Sequence, residues 1–525
     1  MLSKLLRYYH TLKYLKWIQI KYRLLYLVKN KLKWESPIPV FNGITHPISF
    51  EYIVPLCSSW LGKNSFRFLN KVEDFGQTID WNFNQNGKLW TYNLNYFEWL
   101  FQPEMSKEEG LESIRRYMAD RASLKDGLEP FPTSLRLINW IKFVLYHNIK
   151  DEKINGTIHQ DAYSLLGRIE YHLMGNHLLE NGFALFIAGC YLEDRKLYRK
   201  GKAILQSELE EQILADGGHF ELSVMYHQLM FFRLMDSIQV SDDTTCLGYE
   251  MNAYLRQKAA MMYSWLRQMT TETGLFPHFN DSAKGIAPRV DDLIKYAKFL
   301  KVAHIQLPLF DSGYRKFSTS NATLFMDIGK VGPDYIPGHA HADTFSFTLF
   351  HKERPIIVEA GTSTYEVGNR RDIERSTSSH NTVEINGTNS VDVWGGFRVA
   401  ERLTVTLQED KEDYVAATHD GYRQFGLTLQ RSFKMNENGF EVKDTIHPTT
   451  SRTHSIAYLH LHPEVTIEQV NPCQFVLSNQ ISLSFSAGVD VEIEPYLFSE
   501  EWNTLIPAQK LKIKFVNQLT TTITL

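Results

Sequence analysis

Apolar and polar side chains alternate strictly in Ile481-Ser482-Leu483-Ser484-Phe485 and again in Val489-Asp490-Val491-Glu492-Ile493. The stretch Leu403-Thr404-Val405-Thr406-Leu407 has the same period of two. Since successive side chains of a strand point to opposite faces of a sheet, this alternation predicts antiparallel strands with one buried face. We therefore predict that residues 311–525 form an antiparallel β-sandwich.

Upstream of about residue 310 the apolar spacing changes to three or four residues, which is typical of helices. Leu166, Ile169 and Leu173 would share one helical stripe. This period predicts a helical domain over residues 41–310, with a junction near Leu307-Pro308-Leu309-Phe310-Asp311-Ser312-Gly313. The protein is thus expected to be multidomain, with helices first and sheets second.

The composition is that of an ordinary globular protein too long for one core. Of 525 residues, 43% are hydrophobic and 22% are charged, and 56 Lys plus Arg oppose 60 Asp plus Glu. This near-neutral balance gives no reason to expect a nucleic-acid partner. The four cysteines are scattered, which favours reduced thiols over a disulfide framework or a cysteine zinc site. No apolar run approaches the ~20 residues of a membrane span.

The N-terminal segment is strongly basic. Residues 1–34 contain nine Lys or Arg and no acidic residue. Basic residues interrupt every apolar stretch, so no signal-peptide core is visible, and we expect a cytoplasmic location or a peripheral one at the cytoplasmic membrane face. We predict a basic amphipathic helix within residues 1–40, which would either contact an anionic membrane or pack on its own domain with its charges solvated.

A histidine-rich motif, Gly338-His339-Ala340-His341-Ala342-Asp343, precedes an alternating stretch. On a strand, its two histidines and its aspartate would share a face. Glu359 ends an apolar run and His380 begins another predicted strand. Adjacent strands would bring His341, Glu359 and His380 together as zinc ligands, unless these are separate surface or turn residues.

Two further motifs lie in the helical part. In Gly175-Asn176-His177-Leu178-Leu179-Glu180-Asn181-Gly182, His177 and Glu180 are i,i+3 neighbours on a helix. Downstream, Tyr226 and His227 follow a glycine turn. Both pairs are candidates for a cleft, although buried polar side chains in helical domains usually satisfy one another.

The segment Pro132-Thr133-Ser134-Leu135-Arg136-Leu137-Ile138-Asn139-Trp140 combines three recognition groups. Arg136 would supply a carboxylate clamp, Asn139 an amide and Trp140 a face for stacking on a sugar ring. Each residue type is ordinary by itself, and only the combination suggests a binding site.

Together, these motifs resemble the heparinase II/III superfamily of polysaccharide lyases. The resemblance extends from about residue 65 to about residue 400 and includes Ile79-Asp80-Trp81-Asn82 and Trp90-Thr91-Tyr92-Asn93 near the front. It implies an α/α toroid, which is an incomplete helical barrel, followed by an antiparallel β-sandwich. The active site would lie in the cleft between them.

The resemblance also implies residue roles. Tyr226 and His339 would exchange protons with the substrate, and either Asn176 or His177 would neutralise its carboxylate. Arg136, Asn139, Trp140, Glu180 and His227 would contact the glycan. His341, Glu359 and His380 would hold one structural zinc, although the family usually has aspartate where this chain has Glu359. No organic cofactor is implied.

The implied reaction is β-elimination of a uronate-containing anionic glycan, with a place in bacterial surface-polysaccharide metabolism. Two other functions stay open from the sequence. The chain would be a glycan-binding or assembly protein if the cleft supports no turnover. It would be a glycoside hydrolase if two carboxylates flanked the scissile bond, but no such pair stands out. The oligomeric state is not predicted.

Overall fold

The computed structural model describes residues 2–32, 37–41, 43–44, 48–449, 453–478 and 480–525. Within them the predicted order of helices first and sheets second is confirmed. The α-helices are α1 (Leu2–Leu12), α2 (Trp17–Leu32), α3 (Lys88–Tyr96), α4 (Lys107–Ala119), α5 (Pro130–Tyr146), α6 (Glu152–Gly167), α7 (Gly175–Tyr191), α8 (Arg195–Gln212), α9 (Val224–Val240), α10 (Tyr249–Gln268), α11 (Val290–Phe299) and α12 (Asn369–Glu374).

The helical domain consists of inner and outer helices. The inner helices α3, α5, α7 and α9 pack side by side, and α5, α7 and α9 are buried on nearly every face. The outer helices α6, α8 and α10 each pack on an inner neighbour with one face. A ring of such helical hairpins is an incomplete α/α toroid, so the predicted fold class is confirmed for this domain.

Glycine permits a close contact between α7 and α8. A Cβ added at Gly201 of α8 would lie 2.3 Å from the backbone nitrogen of Phe186 in α7. One added at Gly189 of α7 would lie 2.4 Å from the backbone nitrogen of Tyr198 in α8. These two residues therefore set the spacing between an inner and an outer helix.

The strands after residue 310 form antiparallel sheets. One sheet has eight strands in the order β10-β11-β12-β13-β20-β17-β16-β15, and two sheets have four strands each, in the orders β18-β19-β14-β7 and β3-β4-β5-β6. Hairpins β1-β2 and β8-β9 stand apart. The strands are β1 (Ser65–Phe68), β2 (Lys71–Asp74), β3 (Tyr314–Ser318), β4 (Ala322–Asp327), β5 (Phe347–His351), β6 (Arg354–Ile357), β7 (Val383–Ile385), β8 (Val393–Trp394), β9 (Arg398–Val399), β10 (Val405–Asp410), β11 (Tyr414–His419), β12 (Thr428–Asn436), β13 (Gly439–His447), β14 (Ser455–His460), β15 (Ile467–Asn471), β16 (Gln474–Leu477), β17 (Ile481–Phe485), β18 (Asp490–Phe498), β19 (Ile506–Phe515) and β20 (Gln518–Thr524).

All three alternating stretches contribute strands, but the predicted buried face is present in only one of them, since Leu407 of β10 is 45% exposed and Ile493 of β18 is 39% exposed. Residues 481–485 form β17, in which Ile481, Leu483 and Phe485 are buried between half-buried serines. The inward side chains of the large sheet pack with those of β14 and β19 in one apolar core. This arrangement confirms the predicted antiparallel sandwich.

The connection between the two domains is fixed by one aspartate. Asp216 accepts hydrogen bonds from the backbone N–H of Phe310 (3.1 Å) and of Ser312 (2.9 Å), and from the Ser312 hydroxyl (2.6 Å). The predicted junction near residue 310 thus lies between the last helix of the toroid and β3.

The basic N-terminal segment forms two helices, whereas we expected one. The break falls at residues 13–16, where the side chain of Gln19 accepts the backbone N–H of Lys16 (2.9 Å) and so begins α2. Because of this break, α1 contacts the β8-β9 hairpin while α2 packs on the toroid. Residues 33–36 of the predicted segment lie outside the described residues.

Candidate active site

A cavity of about 700 Å³ lies between the toroid and the sheets. Asn176, at the start of α7, and Tyr226, in the first turn of α9, line it from the helical side. Tyr365 and Trp502 line it from the other side. The family resemblance implied a cleft in this position, and the structure contains one.

Tyr226 lines the cavity, and its ring packs against that of His339 at an angle of 34°. Their ring centroids are 4.0 Å apart. The Tyr226 hydroxyl is 3.1 Å from the hydroxyl of Tyr365, which is 3.4 Å from Nδ1 of His339. Burial raises the pKa of Tyr226 above its usual value, and the bond with Tyr365 offsets only part of that shift. The phenol is therefore protonated at neutral pH and can donate a proton.

Asp281 orients His339. Its Oδ2 is 2.9 Å from Nδ1 of His339, and its Oδ1 is 2.9 Å from Nε2 of His341. Arg371 donates to both carboxylate oxygens, one of them at 2.7 Å. Burial alone would raise the pKa of Asp281, but Arg371 and the two histidines hold it well below its usual range. A charged Asp281 accepts the Nδ1–H of His339, which leaves Nε2 as the ring nitrogen that can exchange a proton with a ligand.

Three strained residues fix the backbone next to these side chains. Met174, Leu222 and Asn280 all have positive φ, at 66°, 56° and 56°. They directly precede α7, the Ser223 cap of α9 and Asp281. Ser223 begins α9 by accepting the backbone N–H of Tyr226 (3.3 Å). Such strain in non-glycine residues is concentrated at functional sites, where surrounding contacts hold it in place.

Asn176 and His177 occupy different environments. Nδ2 of Asn176 donates to Oε2 of Glu221 (2.9 Å), which is also 3.9 Å from Nε2 of His339. Asn176 lines the cavity. His177 instead lies at the side, 3.3 Å from Glu170 and 4.6 Å from the ring of Phe131. Of the two candidates for carboxylate neutralisation, Asn176 is the one that lines the cavity.

Glu180 also lines the cavity, where it lies beside Arg233. The Nε of Arg233 is 3.4 Å from Oε1 of Glu180, and Oε2 of Glu180 is buried without a hydrogen-bond partner. Burial raises the pKa of Glu180 to about 7, with Arg233 opposing the shift. The predicted contact between Glu180 and a ligand is thus geometrically available.

The prediction that Arg136 lines the open cleft is wrong. Its guanidinium is fully buried, with Nε and Nη2 at 3.2 Å and 3.1 Å from Asp161 and Nη1 at 2.7 Å from the carbonyl of Gly127. All five donors face protein because α5 is an inner helix that is buried on almost every side. Arg136 is therefore a structural arginine.

Asn139 and Trp140 share that burial, so their predicted ligand contacts are also wrong. Asn139 donates to the carbonyl of Tyr96 (2.8 Å), and Trp140 packs edge-on against Phe97 and Tyr117. These residues share one stripe of α5, and this stripe packs against Tyr117 of α4 and Asp161 of α6 and does not face the cavity. Nothing in the residue types distinguishes that face from the cavity face.

His227 is directed away from the cavity as well. It is fully buried, 4.4 Å from the ring of Trp265, and its Nε2 is 3.0 Å from the carbonyl of Met262. Consecutive helical residues are rotated by about 100°, so Tyr226 and His227 cannot both face the cavity. The predicted substrate contact of His227 is wrong.

The predicted zinc ligands lie near one another, and each of them already has a hydrogen-bond partner in the protein. The rings of His341 and His380 are 5.2 Å apart, His341 bonds Asp281, and Glu359 bonds Nδ1 of His380. Within the described ranges, no three His, Cys, Asp or Glu side chains are gathered closely enough to hold a metal. However, Nδ1 of His341 and Nε2 of His380 are both buried without a partner. Two orphaned imidazole nitrogens are the donor type that zinc prefers, so the residues fit the ion chemically.

Sequence reasoning missed three residues of the site: Tyr365, Asp281 and Arg371. Each is far along the chain from the group it contacts, since Tyr226 and Tyr365 are 139 positions apart. Arg371 and Asp281 are 90 positions apart. No local spacing signals such contacts.

Comparison with known proteins agrees with this architecture. Residues 138–302 match the model "Heparinase II/III N-terminus" and residues 307–525 match "Heparinase II/III-like, C-terminal". A heparin-sulfate lyase of Bacteroides stercoris is 24% identical over 259 residues, which is 44% of this chain and 38% of that protein. The chain thus spans less than two fifths of this curated relative.

Solved structures share the fold. A crystal structure of heparinase III aligns with a TM-score of 0.68 at 16% identity, covering 86% of this chain and 80% of that one. The heparan sulfate lyase HepC of Pedobacter heparinus aligns with a TM-score of 0.57 at 17% identity, covering 88% and 81%. The fold and the cavity define a toroid-plus-sandwich protein with a tyrosine–histidine site. The chain belongs to the heparinase II/III superfamily.

Proposed function

We propose that the protein is a polysaccharide lyase that cleaves a uronate-containing anionic glycan by β-elimination, in bacterial surface-polysaccharide metabolism. The observation that carries this proposal is the contact between the rings of Tyr226 and His339 beside a cavity that Tyr226 and Asn176 line. A binding protein has no need of two proton-transfer groups held at 4.0 Å. The lyases named among the similar proteins support the same reaction class.

The reaction must remove the weakly acidic C5 proton of the uronate and protonate the leaving oxygen. Asn176 is suited to hydrogen-bond the uronate carboxylate, where negative charge accumulates as the proton leaves. One pre-aimed donor of this kind stabilises a transition state by roughly 2.7–4 kcal/mol, by analogy with an oxyanion hole. Glu221 holds the Asn176 amide in place before substrate binds.

The two proton transfers fall to different residues. His339 has its Nδ1 on Asp281, so Nε2 is the base that accepts the C5 proton. Tyr226, kept protonated by burial, donates to the leaving oxygen. Each transfer contributes on the order of 10²–10⁴-fold in rate.

Cations at the cavity support an anionic substrate. Lys284 and Arg289 line it, and Arg289 is exposed, with no ion-pair partner among the residues that the structure describes. Lys284 pairs with Glu500. A free guanidinium binds a carboxylate or sulfate in bidentate fashion, and so Arg289 takes the recognition role first assigned to Arg136.

One assay tests the proposal. The full chain is incubated with a panel of acidic polysaccharides, including bacterial capsular and exopolysaccharides, and the ultraviolet absorbance of an unsaturated uronate product is followed. A rise in absorbance together with new chain ends is expected. New reducing ends without absorbance would mean hydrolysis, and binding without either signal would mean a glycan-binding protein.

We also propose one structural zinc ion per chain, held by His341, His380 and Glu359. The ion would cross-link the segments around β6 and β7 and take no part in proton transfer. Metal analysis of protein purified without chelator should find about one zinc per chain. Chelation should lower the melting temperature more than the specific activity of the folded fraction. Unchanged melting of a metal-free preparation would contradict the proposal.

A further inference from the structure

The two N-terminal helices expose an unusual number of large apolar side chains. Trp17 is 72% exposed, Leu27 67% and Leu32 64%. We call the whole set the N-terminal apolar surface, and its members are Leu5, Leu6, Tyr9, Leu12, Trp17, Leu24, Leu27, Val28 and Leu32. Soluble monomers rarely expose apolar residues at this density unless the surface binds something.

The opposite face of α2 is fixed on the toroid. Gln19 donates to the carbonyl of Leu173 (3.1 Å), the Tyr26 hydroxyl donates to the carbonyl of Ile169, and the ring of Tyr22 lies 4.6 Å from that of Tyr171. The helix is therefore docked in a defined rotation. Its exposed apolar residues therefore belong to a helix that is already packed on the toroid through its other face.

The first helix is docked in the same way. Arg7 forms two hydrogen bonds with Asp392, at 2.9 Å and 2.8 Å, and Tyr8 packs edge-on against Trp394 at 5.2 Å. These contacts leave Leu5, Leu6 and Leu12 outside. Both helices thus use polar and aromatic contacts inward and present apolar groups outward.

Lysines lie among the outward apolar residues. At 100° per residue, Leu24 is directly opposite the docked face of α2, with Trp17 and Val28 on one side and Lys31 on the other. Lys21 and Lys31 are both exposed and have no ion-pair partner in the part of the chain that the structure describes. An apolar face bordered by free lysines, with a tryptophan at its end, is suited to the boundary between headgroups and acyl chains.

We propose that the N-terminal apolar surface binds the surface of an anionic lipid bilayer, with α2 lying in the interfacial plane. Charge favours this occupant, because residues 1–34 carry nine basic residues and no acidic one, and Lys21 and Lys31 remain exposed although Arg7 and Lys16 pair with Asp392 and Glu211. A second copy would bring like charges together, Lys21 and Lys31 of one chain against those of the other. None of the described helices is long and apolar enough to cross a membrane, so the contact is peripheral.

Vesicle co-sedimentation of the full chain tests this. The vesicles are pure phosphatidylcholine, or phosphatidylcholine with about one third phosphatidylglycerol, since anionic lipid should attract each surface lysine. Two double variants, Lys21→Glu with Lys31→Glu and Leu24→Ser with Val28→Ser, alter only outward side chains and keep the docking contacts. The control is Lys298→Glu with Lys301→Glu, two exposed lysines at the end of α11.

We expect binding to the anionic vesicles at low salt, and an affinity lowered at least about tenfold by either N-terminal double variant. The control pair should bind like the unaltered chain, and all variants should melt alike. Absence of binding to anionic vesicles, or equal binding by all variants, would overturn the proposal. A dimer in sedimentation equilibrium that Leu24→Ser with Val28→Ser dissociates, without vesicle binding, would assign the surface to a second copy instead.

Discussion

Two substitutions can distinguish the roles of Tyr226 and His339 in proton transfer from their contributions to packing. Tyr226→Phe keeps the ring that packs against His339 and removes only the hydroxyl, whereas His339→Ala removes the base at a partly exposed position. Each variant should lose about 10²–10⁴-fold in elimination rate, with a melting temperature close to that of the unaltered protein. Turnover is followed by product absorbance and folding by calorimetry. Near-normal turnover in either variant would remove that residue from the mechanism.

Alanine substitutions at Arg136 and at Arg289 should have opposite effects on stability and on binding. Arg136→Ala leaves Asp161 buried with only Arg121, so we expect a loss of roughly 3–5 kcal/mol in the free energy of unfolding and no selective loss of binding. Arg289→Ala removes an exposed cation, so we expect unchanged stability and a higher KM for charged glycans only. Denaturant unfolding and KM values for charged and neutral oligosaccharides measure the two effects. A selective binding loss in Arg136→Ala would reverse this assignment.

At the scale of secondary-structure elements, local sequence patterns predict the helices and strands, but they do not predict which face of a site helix meets the cavity. The alternation at residues 481–485 is sufficient for a strand, because every second residue must share a face. The spacing of Arg136, Asn139 and Trp140 equally required one helical stripe. It contained no information about which side of an inner helix meets the cavity, because α5 is apolar or bonded all round.

The site was only partly predictable, because some of its residues lie in short local motifs and others are distant along the chain. Tyr226, His339 and Asn176 lie within short motifs that can be recognised in one stretch of sequence. Asp281 binds His339 from 58 positions away, and Tyr365 binds Tyr226 from 139 positions away. Such contacts depend on how the toroid and the sheets meet, which no local period encodes.

The crossing of α7 and α8 gives a prediction at the element scale. Gly201→Ala would place a Cβ 2.3 Å from a backbone atom of Phe186, which cannot rotate away, so the helices must separate. We expect a loss of roughly 1–3 kcal/mol in the free energy of unfolding, typical of overpacking. Gly156→Ala in α6 is the control, because its Cβ would have nothing within 4 Å and alanine favours helix by about 1 kcal/mol. Equal effects of the two substitutions in chemical denaturation would mean that helix spacing is not set by Gly201.

At the scale of the whole molecule, one buried carboxyl makes a contribution to the free energy of unfolding that falls as pH rises from mildly acidic to neutral. Glu208 of α8 is buried beside Gln212, whose Nε2 donates to it at 2.8 Å, and burial raises the pKa of Glu208 to about 7. The unfolded chain has a pKa near 4.5 at this position, so the folded state binds the proton more tightly. The resulting stabilisation is complete below pH 4.5 and is lost as pH rises to about 7, where it has fallen by on the order of 3 kcal/mol. Glu208→Gln keeps an uncharged hydrogen-bonding side chain, so the unfolding free energy of the variant relative to the unaltered chain should rise between pH 4.5 and about 7, and the variant should be the more stable protein at pH 8. A Glu208→Gln protein with the same pH profile as the unaltered chain would show that Glu208 is ionised in the folded state without cost.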